Sequence, residues 1–409
     1  MPRSFKRKYY LVFFSSILGP LATNGLVPLF GQLKDAFYLD SVAYISIAFF
    51  VYMFPFAIFQ LFAGTFSDVI DKRRVVFIGY IIFISGLILA LLSVYINNYL
   101  IFLVAFLCQG LGFSFINPTI MAILSIITPE EKDGLIMGIY NSSAGLGVSL
   151  SAIISGLVSN WNWRYFFIIN PIITFISLIL FIIALKNCEL LVCTPYEITD
   201  KSRNSNIKIG LITNLRKTIL NFRENLKKRI IFLGFLGFAC FFTVITLTNT
   251  LNEQMTINMP FLGEQEVINI VSIILTINGL ISICLSPISG YLLRKMEPLI
   301  MLGIGFLLLF SSQFLPFGNS VIIFMLISFT IYLGSVFIWP ALFDLSMKLN
   351  PEAKGTNSAI INSLRFLGYS FVGVFYLLVG IPIIYLVVLT LIITSLMLII
   401  LVWKKSIKN

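Results

Sequence analysis

Residues 64–79 read GTFSDVIDKRRVVFIG and concentrate two aspartates, a lysine and two arginines between two long apolar stretches. The chain before them reads VAYISIAFFVYMFPFAIFQLFA, and from residue 75 onward it reads VVFIGYIIFISGLILALLSVY. A helix needs roughly 20 apolar residues to cross the hydrocarbon core of a bilayer, and each stretch is long enough to do so. A charged turn between two membrane helices therefore sets the fold class.

Composition places the whole chain in the same class. Its 409 residues are 58% hydrophobic and only 11% charged, with a mean hydropathy of +0.99, which is too apolar for a water-soluble protein of this size. Because similar apolar runs follow one another along the chain, the sequence predicts an all-α membrane protein with twelve transmembrane helices. We number these predicted spans 1 to 12: 9–33, 42–66, 75–95, 99–127, 134–159, 166–186, 230–251, 267–290, 298–317, 320–349, 355–379 and 381–403.

The lysines and arginines predict the orientation. The connections between spans lie alternately on the two sides of the membrane. Of the 28 lysines and arginines, all except Lys34, Arg164 and Arg365 fall at the ends of the chain or near the connections that lie on the same side as both ends. Since cytoplasmic loops retain Lys and Arg, we expect a multi-pass protein of the cell membrane with both termini cytoplasmic. This side is called the predicted inner end, and the opposite side the predicted outer end. The bias, with attraction to anionic membrane lipids, accounts for the net charge of +11 without a nucleic-acid partner.

Several classes of active site are disfavoured by what the sequence lacks. The five cysteines include no CxxC pair, and histidine is absent. The cysteines therefore lack the paired spacing that is typical of a structural zinc site, and a Ser-His-Asp triad and an HExxH site lack their histidine. We expect no catalytic residues, no metal and no cofactor, and hence not an enzyme.

The chain divides near its middle. Residues 187–229 are polar, basic and longer than any other connection between spans, so they predict a cytoplasmic linker between a six-helix bundle in 1–186 and another in 230–409. Within the linker, KIGLITNLRKTILNFRENLKK has apolar residues at helical spacing, which favours a helix on the inner membrane surface. A flexible tether is the alternative.

An internal repeat relates the two bundles. GFSFINPTIMAILSIITPEE, from Gly112, aligns with GSVFIWPALFDLSMKLNPEA, from Gly334, so that Pro118 aligns with Pro340 at the same offset. An ordered set of such matches indicates duplication, and two similar bundles around a crevice at the bilayer midplane is the architecture of a secondary transporter.

The opening stretch also resembles the motif that follows the second helix of the major facilitator superfamily. CQGLGFSFINP and WNWRYFFIINP resemble segments of its drug:proton antiporter branch. The resemblance implies two pseudo-symmetric six-helix bundles in a monomer that moves a small molecule by alternating access, with efflux of drug-like or amphiphilic compounds or metabolites favoured. An uncoupled facilitator or importer, and a transport-inactive receptor or scaffold on the same fold, are the alternatives.

The resemblance further implies a conformational latch at the inner ends of the bundles. The motif's aspartate would face the start of span 11, where free backbone N–H groups attract a carboxylate. Gly290 and Arg294 occupy the corresponding positions in the second bundle, where we expect Arg294 to pair with Asp344. The predicted latch residues are Gly64, Asp68, Lys72, Arg73, Arg74, Gly290, Arg294 and Asp344.

Departures from the family pattern weaken the case for proton coupling. Val69 and Asp71 replace an arginine and a glycine of the motif, and Asn24 stands where antiporter relatives often carry an acid. No carboxylate lies at mid-depth in the predicted spans 1, 4, 7 or 10, so coupling through Asp35 or Asp344 is left open. Protons are therefore an open partner.

Polar and aromatic residues in spans 1, 4, 7 and 10 are candidates for substrate contact, because neutral amides and rings bind uncharged or amphiphilic molecules. Hydrogen bonding between helices is the alternative role for each of them. A cation within span 11, Arg365, is costly in a membrane and is a candidate for contact with a substrate or a counter-ion. A structural pair with span 10 or with backbone carbonyls is the alternative role for Arg365. The candidates are Asn24, Gln109, Phe113, Asn117, Asn249, Tyr332, Trp339 and Arg365.

Overall fold

The computed structural model describes residues 7–128, 133–186, 220, 228–349 and 354–408; within these ranges, the side chains of 64–69 and of several residues at helix ends lie outside the description. The described chain is helical and carries eleven helices that are long and apolar enough to cross a membrane. The predicted linker 187–229 lies outside the described residues except for 220 and 228–229.

The helices follow the predicted spans closely. Their uniform apolar surface suits a hydrocarbon solvent, where every backbone N–H and C=O must be satisfied within the helix. The helices are Phe14–Asn24 and Phe30–Ala36 (span 1), Ala43–Val69, Lys72–Tyr95, Tyr99–Ile127, Asp133–Ser159, Tyr165–Leu185, Lys228–Asn258, Glu264–Leu292, Pro298–Leu309, Val321–Leu349 and Lys354–Lys408.

Local signals explain where several helices begin. Asp71 caps span 3 by accepting a hydrogen bond from the Arg73 backbone N–H at 2.9 Å, and Asn98 caps span 4 by accepting from the Ile101 N–H at 3.0 Å. Such caps satisfy N–H groups that have no partner within the helix. Two spans are irregular. Span 1 is broken by a short 3-10 turn, Val27–Leu29, and span 9 ends in the 3-10 segment Phe310–Phe317.

The last helix differs from its prediction. Spans 11 and 12 form one helical element, Lys354–Lys408, with non-helical backbone angles at Gly380, where φ is +68°. A positive φ is a conformation that glycine adopts at little cost. The backbone thus departs from helical geometry between residues 379 and 381, where the sequence separates the two spans, but the two are not assigned as distinct helices.

Candidate functional site

Several contacts between the first half of the chain (residues 7–186) and the second half (residues 228–408) lie at the predicted outer end. Gln265 Nε2 donates to Ser159 Oγ at 2.8 Å, which joins spans 8 and 5. Ser46 Oγ donates to the Gly373 carbonyl at 3.2 Å, which joins spans 2 and 11. Asn252 of span 7 lies close to the Val27 carbonyl of span 1, at 3.5 Å. All of these contacts are between neutral groups.

Small residues let the helices of the two halves approach closely. A Cβ atom on Gly373 would lie 2.2 Å from the Ser46 carbonyl oxygen, and one on Gly279 would lie 2.7 Å from the Gly145 carbonyl oxygen. Real Cβ atoms do not come so near a backbone oxygen, so these two positions require glycine in this arrangement. Small residues at helix contacts are the usual means of close packing in membranes.

A second set of polar bonds joins spans 2 and 11 nearer the predicted inner end. Ser363 Oγ donates to the Ala57 carbonyl at 2.7 Å, and Gln60 Nε2 donates to Ser363 Oγ at 3.2 Å. Asn362 Nδ2 in turn donates to Gln60 Oε1 at 3.3 Å. Spans 2 and 11 are therefore in contact from the predicted outer end to well past mid-depth.

A row of aromatic rings crosses the middle of the interface. Phe113 of span 4 lies 5.2 Å from Phe56 of span 2, measured between ring centroids, and Phe56 meets Phe366 of span 11 edge to face at 4.7 Å. The rings fill the space between Phe113 and Arg365, two residues that the sequence proposed as substrate contacts. The structure therefore connects these two candidates through Phe56 and Phe366, for which the sequence offered no signal beyond hydrophobicity.

Arg365 is surrounded by aromatic rings. Its guanidinium carbon lies 3.7 Å from the ring centroid of Trp339, 4.3 Å from that of Phe366 and 4.5 Å from that of Phe241. Its Nε is buried without a hydrogen-bond partner, whereas the residue as a whole keeps some accessible surface. Among the described residues, no carboxylate forms an ion pair with it. Cation–π attraction is therefore its principal stabilising contact here.

Asn249 is another candidate with unused hydrogen-bonding capacity, as is Gln109 through its buried Oε1. The Asn249 amide is the more extreme case. Its side chain is 1% exposed, and both its Nδ2 and its Oδ1 lack a partner. A buried polar group without a partner costs about 1–3 kcal/mol, so its presence at this position needs an explanation. The neighbouring Thr248 shares a 3.3 Å hydrogen bond with the hydroxyl of Tyr332, another candidate.

The remaining candidates form hydrogen bonds within the first half. Asn24 Nδ2 donates to the Pro20 carbonyl of its own helix at 3.2 Å. Gln109 Nε2 points to the Gly86 carbonyl of span 3 at 3.4 Å, and Asn117 Oδ1 accepts from the Tyr140 hydroxyl at 2.7 Å. The interhelical alternative considered for these amides therefore describes Gln109 and Asn117 in this arrangement.

One buried acid was missed by the sequence analysis. Span 7 was predicted to end at residue 251, but its helix runs to Asn258 and includes Glu253, which is half-buried and accepts a hydrogen bond from the Tyr376 hydroxyl of span 11. The sequence TNTLNEQMTIN could have indicated that the helix continues past residue 251, but its many polar residues are typical of a loop. Elsewhere in the described ranges, His, Cys, Asp and Glu form no cluster of three that could hold a metal.

Comparison with known families assigns the chain. Residues 12–373 match the family profile described as Major Facilitator Superfamily. The chain belongs to this superfamily. Superfamily members are membrane transporters, not enzymes, and the eleven apolar helices agree with a multi-pass membrane protein.

Curated relatives within the superfamily are only partly matched. Multidrug resistance protein Stp of Mycobacterium tuberculosis is 31% identical over 121 residues, which are 29% of this chain and 22% of that protein. MFS antiporter QDR3 of Candida albicans is 28% identical over 39% of this chain and 23% of its own. Aminotriazole resistance protein of Saccharomyces cerevisiae is 22% identical over 46% and 36%. The matched regions thus span about a third or less of each relative.

Solved structures share the fold over nearly the full length of the chain. A POT family transporter in complex with 5-aminolevulinic acid has a TM-score of 0.78 at 16% identity and covers 100% of this chain and 98% of its own. A POT family transporter in complex with a thioalcohol conjugated peptide has a TM-score of 0.72 at 16% identity, covering 98% and 96%. At such identities the similarity concerns the fold alone.

The superfamily motif is described only in part. The side chains of Gly64 and Asp68 lie outside the described residues. Arg73 forms an ion pair with Asp71 at 2.8 Å, and together with Arg74 these residues border a surface cavity of about 400 Å³ between spans 3 and 6. The cavity is also lined by Phe77, Phe181, Ile182, Leu185 and Lys186.

Asp71 explains one departure from the motif. Burial acts to raise the pKa of its carboxyl, but hydrogen bonds from the Arg73 side chain and backbone, with the charges of Arg73 and Arg74, outweigh burial and leave the pKa below its ordinary value. The residue that replaces the motif's glycine is therefore an ionised helix cap paired with Arg73.

The corresponding residues of the second half are arranged differently from the expectation. Asp344 pairs with Lys348 at 2.6 Å, one helical turn along span 10, rather than with Arg294. Arg294 is exposed, and nothing lies within 4 Å of a Cβ built on Gly290. The i,i+4 spacing of Asp344 and Lys348 makes the local pair the easier one to form.

Proposed function

We propose that this protein is a secondary active transporter that moves a small molecule across the cell membrane by alternating access, with efflux of drug-like or amphiphilic compounds or metabolites favoured. The names of the partly matched relatives, a multidrug resistance protein and an antiporter among them, support efflux. An uncoupled facilitator or importer, and a transport-inactive receptor or scaffold, are the competing functions.

One observation carries the proposal: the contacts that close the predicted outer end are neutral hydrogen bonds and glycine contacts, such as Ser159 with Gln265 and Ser46 with Gly373. Among the described residues, the ion pairs are all local, and none joins the two halves. Neutral hydrogen bonds contribute only about 0.5–1.5 kcal/mol each, so this closure can be broken and remade. A transporter needs such a reversible closure on each side of its site.

The proposal includes twelve spans in two six-span bundles, 1–186 and 230–409, joined by the linker 187–229, in a monomer with both termini cytoplasmic. The last helical element has 55 residues, or about 80 Å at the helical rise, more than twice the roughly 30 Å hydrocarbon core. With non-helical angles at Gly380, it is better suited to two crossings than to one.

We assign the substrate site to the region between the halves, around Asn249 and Arg365. Both have polar atoms that are buried without a partner. Phe113, Tyr332 and Trp339 supply aromatic surface, and Gln109 adds an Oε1 that is also buried without a partner. Asn24 and Asn117 complete the set and are each hydrogen-bonded within the first half at present. Entry to this region requires the Phe56–Phe366 contact to separate.

Protons are the proposed coupling ion, and Glu253 is the proposed carrier. Its carboxylate is half-buried within span 7 and bonded to Tyr376 of span 11. The acids considered from the sequence are less suited, because Asp35 is exposed and pairs with Lys34, and Asp344 pairs with Lys348. A half-buried carboxylate in a membrane helix is a common place for proton binding.

The latch at the predicted inner end remains part of the proposal. Asp68 would face the start of span 11, with Gly64 permitting close approach, and Lys72, Arg73 and Arg74 would bind nearby acids. Gly290, Arg294 and Asp344 would act correspondingly in the second half. Replacing Asp68 with Asn should weaken closure at this end, measured as faster labelling of cysteines placed there.

The proposal is tested by solute flux. Purified protein is reconstituted into vesicles, and uptake of a panel of amphiphilic compounds is measured with and without an imposed pH gradient. Flux that follows the gradient supports a proton-coupled transporter, flux that ignores it indicates a facilitator, and no flux of any compound would leave a receptor or scaffold.

A further inference from the structure

We infer that the compound carried by this protein is an organic anion, with a carboxylate or a similar planar acid group, and that Arg365 binds that group. This inference rests on the proposed function, because it names the substrate class of the same site. It concerns the charge and shape of the compound, which neither the family nor its relatives specify.

The first support is a cation without an anion. Arg365 lies eleven residues into the helix that begins at Lys354, about 16 Å along it, and thus at membrane depth. No described carboxylate forms an ion pair with it. A charged side chain at this depth is costly unless it is paired or reaches water, and such residues generally mark the path of a substrate or ion.

The second support is the hydrogen-bonding capacity of the Arg365 guanidinium. Its central carbon lies over the rings of Trp339, Phe366 and Phe241, within 4.5 Å of each ring centroid. Rings attract a cation through their negative faces but accept no strong hydrogen bonds from its N–H groups. The N–H groups therefore find no strong acceptor among these rings, and a carboxylate is the group that binds a guanidinium with two parallel hydrogen bonds.

The third support is the surrounding surface. The three rings that hold the guanidinium also form an apolar wall beside it, continued by Phe56 and Phe343. An anion with a flat apolar part would place its acid group on Arg365 and its apolar part against these rings. A small hydrophilic anion such as sulfate would gain nothing from that wall, so the fitting class is aromatic or otherwise apolar carboxylates.

A purely structural role for Arg365 makes a different prediction. If the cation only joins the rings together, removing it would lower stability but would not change the preference among compounds of different charge. The test must therefore compare charge preference, and compounds of equal shape serve this purpose. Suitable matched sets are benzoate with benzamide, indole-3-acetate with indole-3-acetamide, and octanoate with octanamide.

Binding is measured as the rise in melting temperature of the purified protein and as quenching of Trp339 fluorescence in a variant whose other tryptophans are Phe. At least one acid should bind the unaltered protein about tenfold or more tightly than its amide, because hydrogen bonds between two charged groups are stronger than those of a neutral amide. Arg365→Gln should abolish this preference, and Arg365→Lys should retain part of it.

Lys295→Gln is the matched control, because Lys295 also lies over an aromatic ring, 4.8 Å from the Tyr291 centroid, but is exposed and away from the site. It should keep the preference for acids. The inference is overturned if no acid is preferred over its amide, or if Arg365→Gln binds the acids as well as the unaltered protein does. Should Arg365→Gln fail to fold, the preference for acids over amides is compared between the unaltered protein and Arg365→Lys. An Arg365→Lys variant that prefers the acids as strongly as the unaltered protein would then contradict the inference.

Transport in vesicles separates this inference from the proposed function. If amides or amines are carried and the acids are not, the substrate class is wrong while the transporter proposal stands. If the acids bind through Arg365 but no compound is carried, the transporter proposal is wrong, while the assignment of Arg365 as the binding site for an organic anion stands.

Discussion

Gln265 and Ser159 form a 2.8 Å hydrogen bond that joins spans 8 and 5 at the predicted outer end. If the protein alternates between states, this bond must break in every cycle. Replacing both residues with cysteine and oxidising the pair should lock that end, reducing solute flux by more than about tenfold, and reduction of the disulfide should restore it. Flux through reconstituted vesicles, measured before and after reduction, is the readout.

The control for that cross-link is a pair within one half. Ser311 and Thr330 also lie 2.8 Å apart, but in spans 9 and 10 of the second half. Their disulfide should leave flux unchanged. Full flux through the oxidised Ser159–Gln265 pair would contradict alternating access at this end.

Gly373 should control how tightly the outer end closes. A Cβ there would lie 2.2 Å from the Ser46 carbonyl oxygen, so Gly373→Ala should push spans 2 and 11 apart and favour the outward-open state. We expect a cysteine placed at Ser46 to react several-fold faster with a membrane-impermeant maleimide in this variant. Gly303→Ala is the control, since nothing lies within 4 Å of a Cβ at Gly303. Equal labelling rates in the two variants would argue against the role of Gly373.

Asn249 should show opposite effects on stability and transport. Because both atoms of its buried amide lack partners, Asn249→Leu should raise the free energy of unfolding by about 1 kcal/mol or leave it unchanged. Transport should fall by at least about tenfold if substrate uses the amide. Melting temperature and flux on the same preparation test both effects.

Asn170→Leu serves for comparison, because Asn170 is similarly buried but its Nδ2 donates to the Phe166 carbonyl at 3.1 Å. It should lose stability and keep its transport rate per folded molecule. A loss of stability in Asn249→Leu with flux intact would remove Asn249 from the site.

Glu253 should determine the response to a proton gradient. Glu253→Gln keeps the size of the side chain and its acceptor for the Tyr376 hydroxyl but cannot change charge. We expect flux down a solute gradient to persist and acceleration by an imposed pH gradient to be lost. Glu297→Gln, at an exposed acid between spans 8 and 9, should respond to pH as the unaltered protein does. Gradient-driven flux that survives in Glu253→Gln would exclude Glu253 as the carrier.

Asp71 should stabilise the start of span 3 in a pH-dependent way. Asp71→Ala should cost about 1 kcal/mol as a lost cap. The pKa of Asp71 is lowered in the folded protein, so its charge stabilises the fold above the unfolded-state value of about 3.9, and this contribution is lost as pH falls through the folded pKa.

The difference in melting temperature between Asp71→Asn and the unaltered protein should therefore shrink below about pH 4. Asn98→Ala removes a neutral cap of span 4, and its effect should not change over the same range. A pH-independent effect at Asp71 would mean that its charge does not contribute.

The membrane class, the family and most helix bounds could be predicted from the sequence. The bounds could be predicted because the thickness of the bilayer fixes how many consecutive apolar residues a membrane helix needs. The end of span 7 could not, because Asn252, Glu253 and Gln254 look like loop residues until a neighbouring helix supplies the partner Tyr376. A partner that is distant in the chain cannot be recognised from the local pattern of polar and apolar residues.

The candidate site was predicted only in part, because the contacts between its residues also join different helices. Depth in a span identified Arg365 and Trp339, and their 3.7 Å contact unites spans 11 and 10. Depth also identified Gln109 and Asn117, but the sequence could not reveal that Gln109 Nε2 points to the Gly86 carbonyl and that Asn117 Oδ1 accepts from the Tyr140 hydroxyl. The choice between Lys348 and Arg294 for Asp344 likewise depended on geometry.

The uncharged character of the described hydrogen bonds between the halves has a consequence for how the protein responds to dissolved salt. Dissolved ions screen charges but hardly affect bonds between hydroxyls, amides and carbonyls. The contacts at the predicted outer end should therefore depend little on ionic strength, so that any salt dependence of transport would originate from charged groups such as the proposed latch at the predicted inner end.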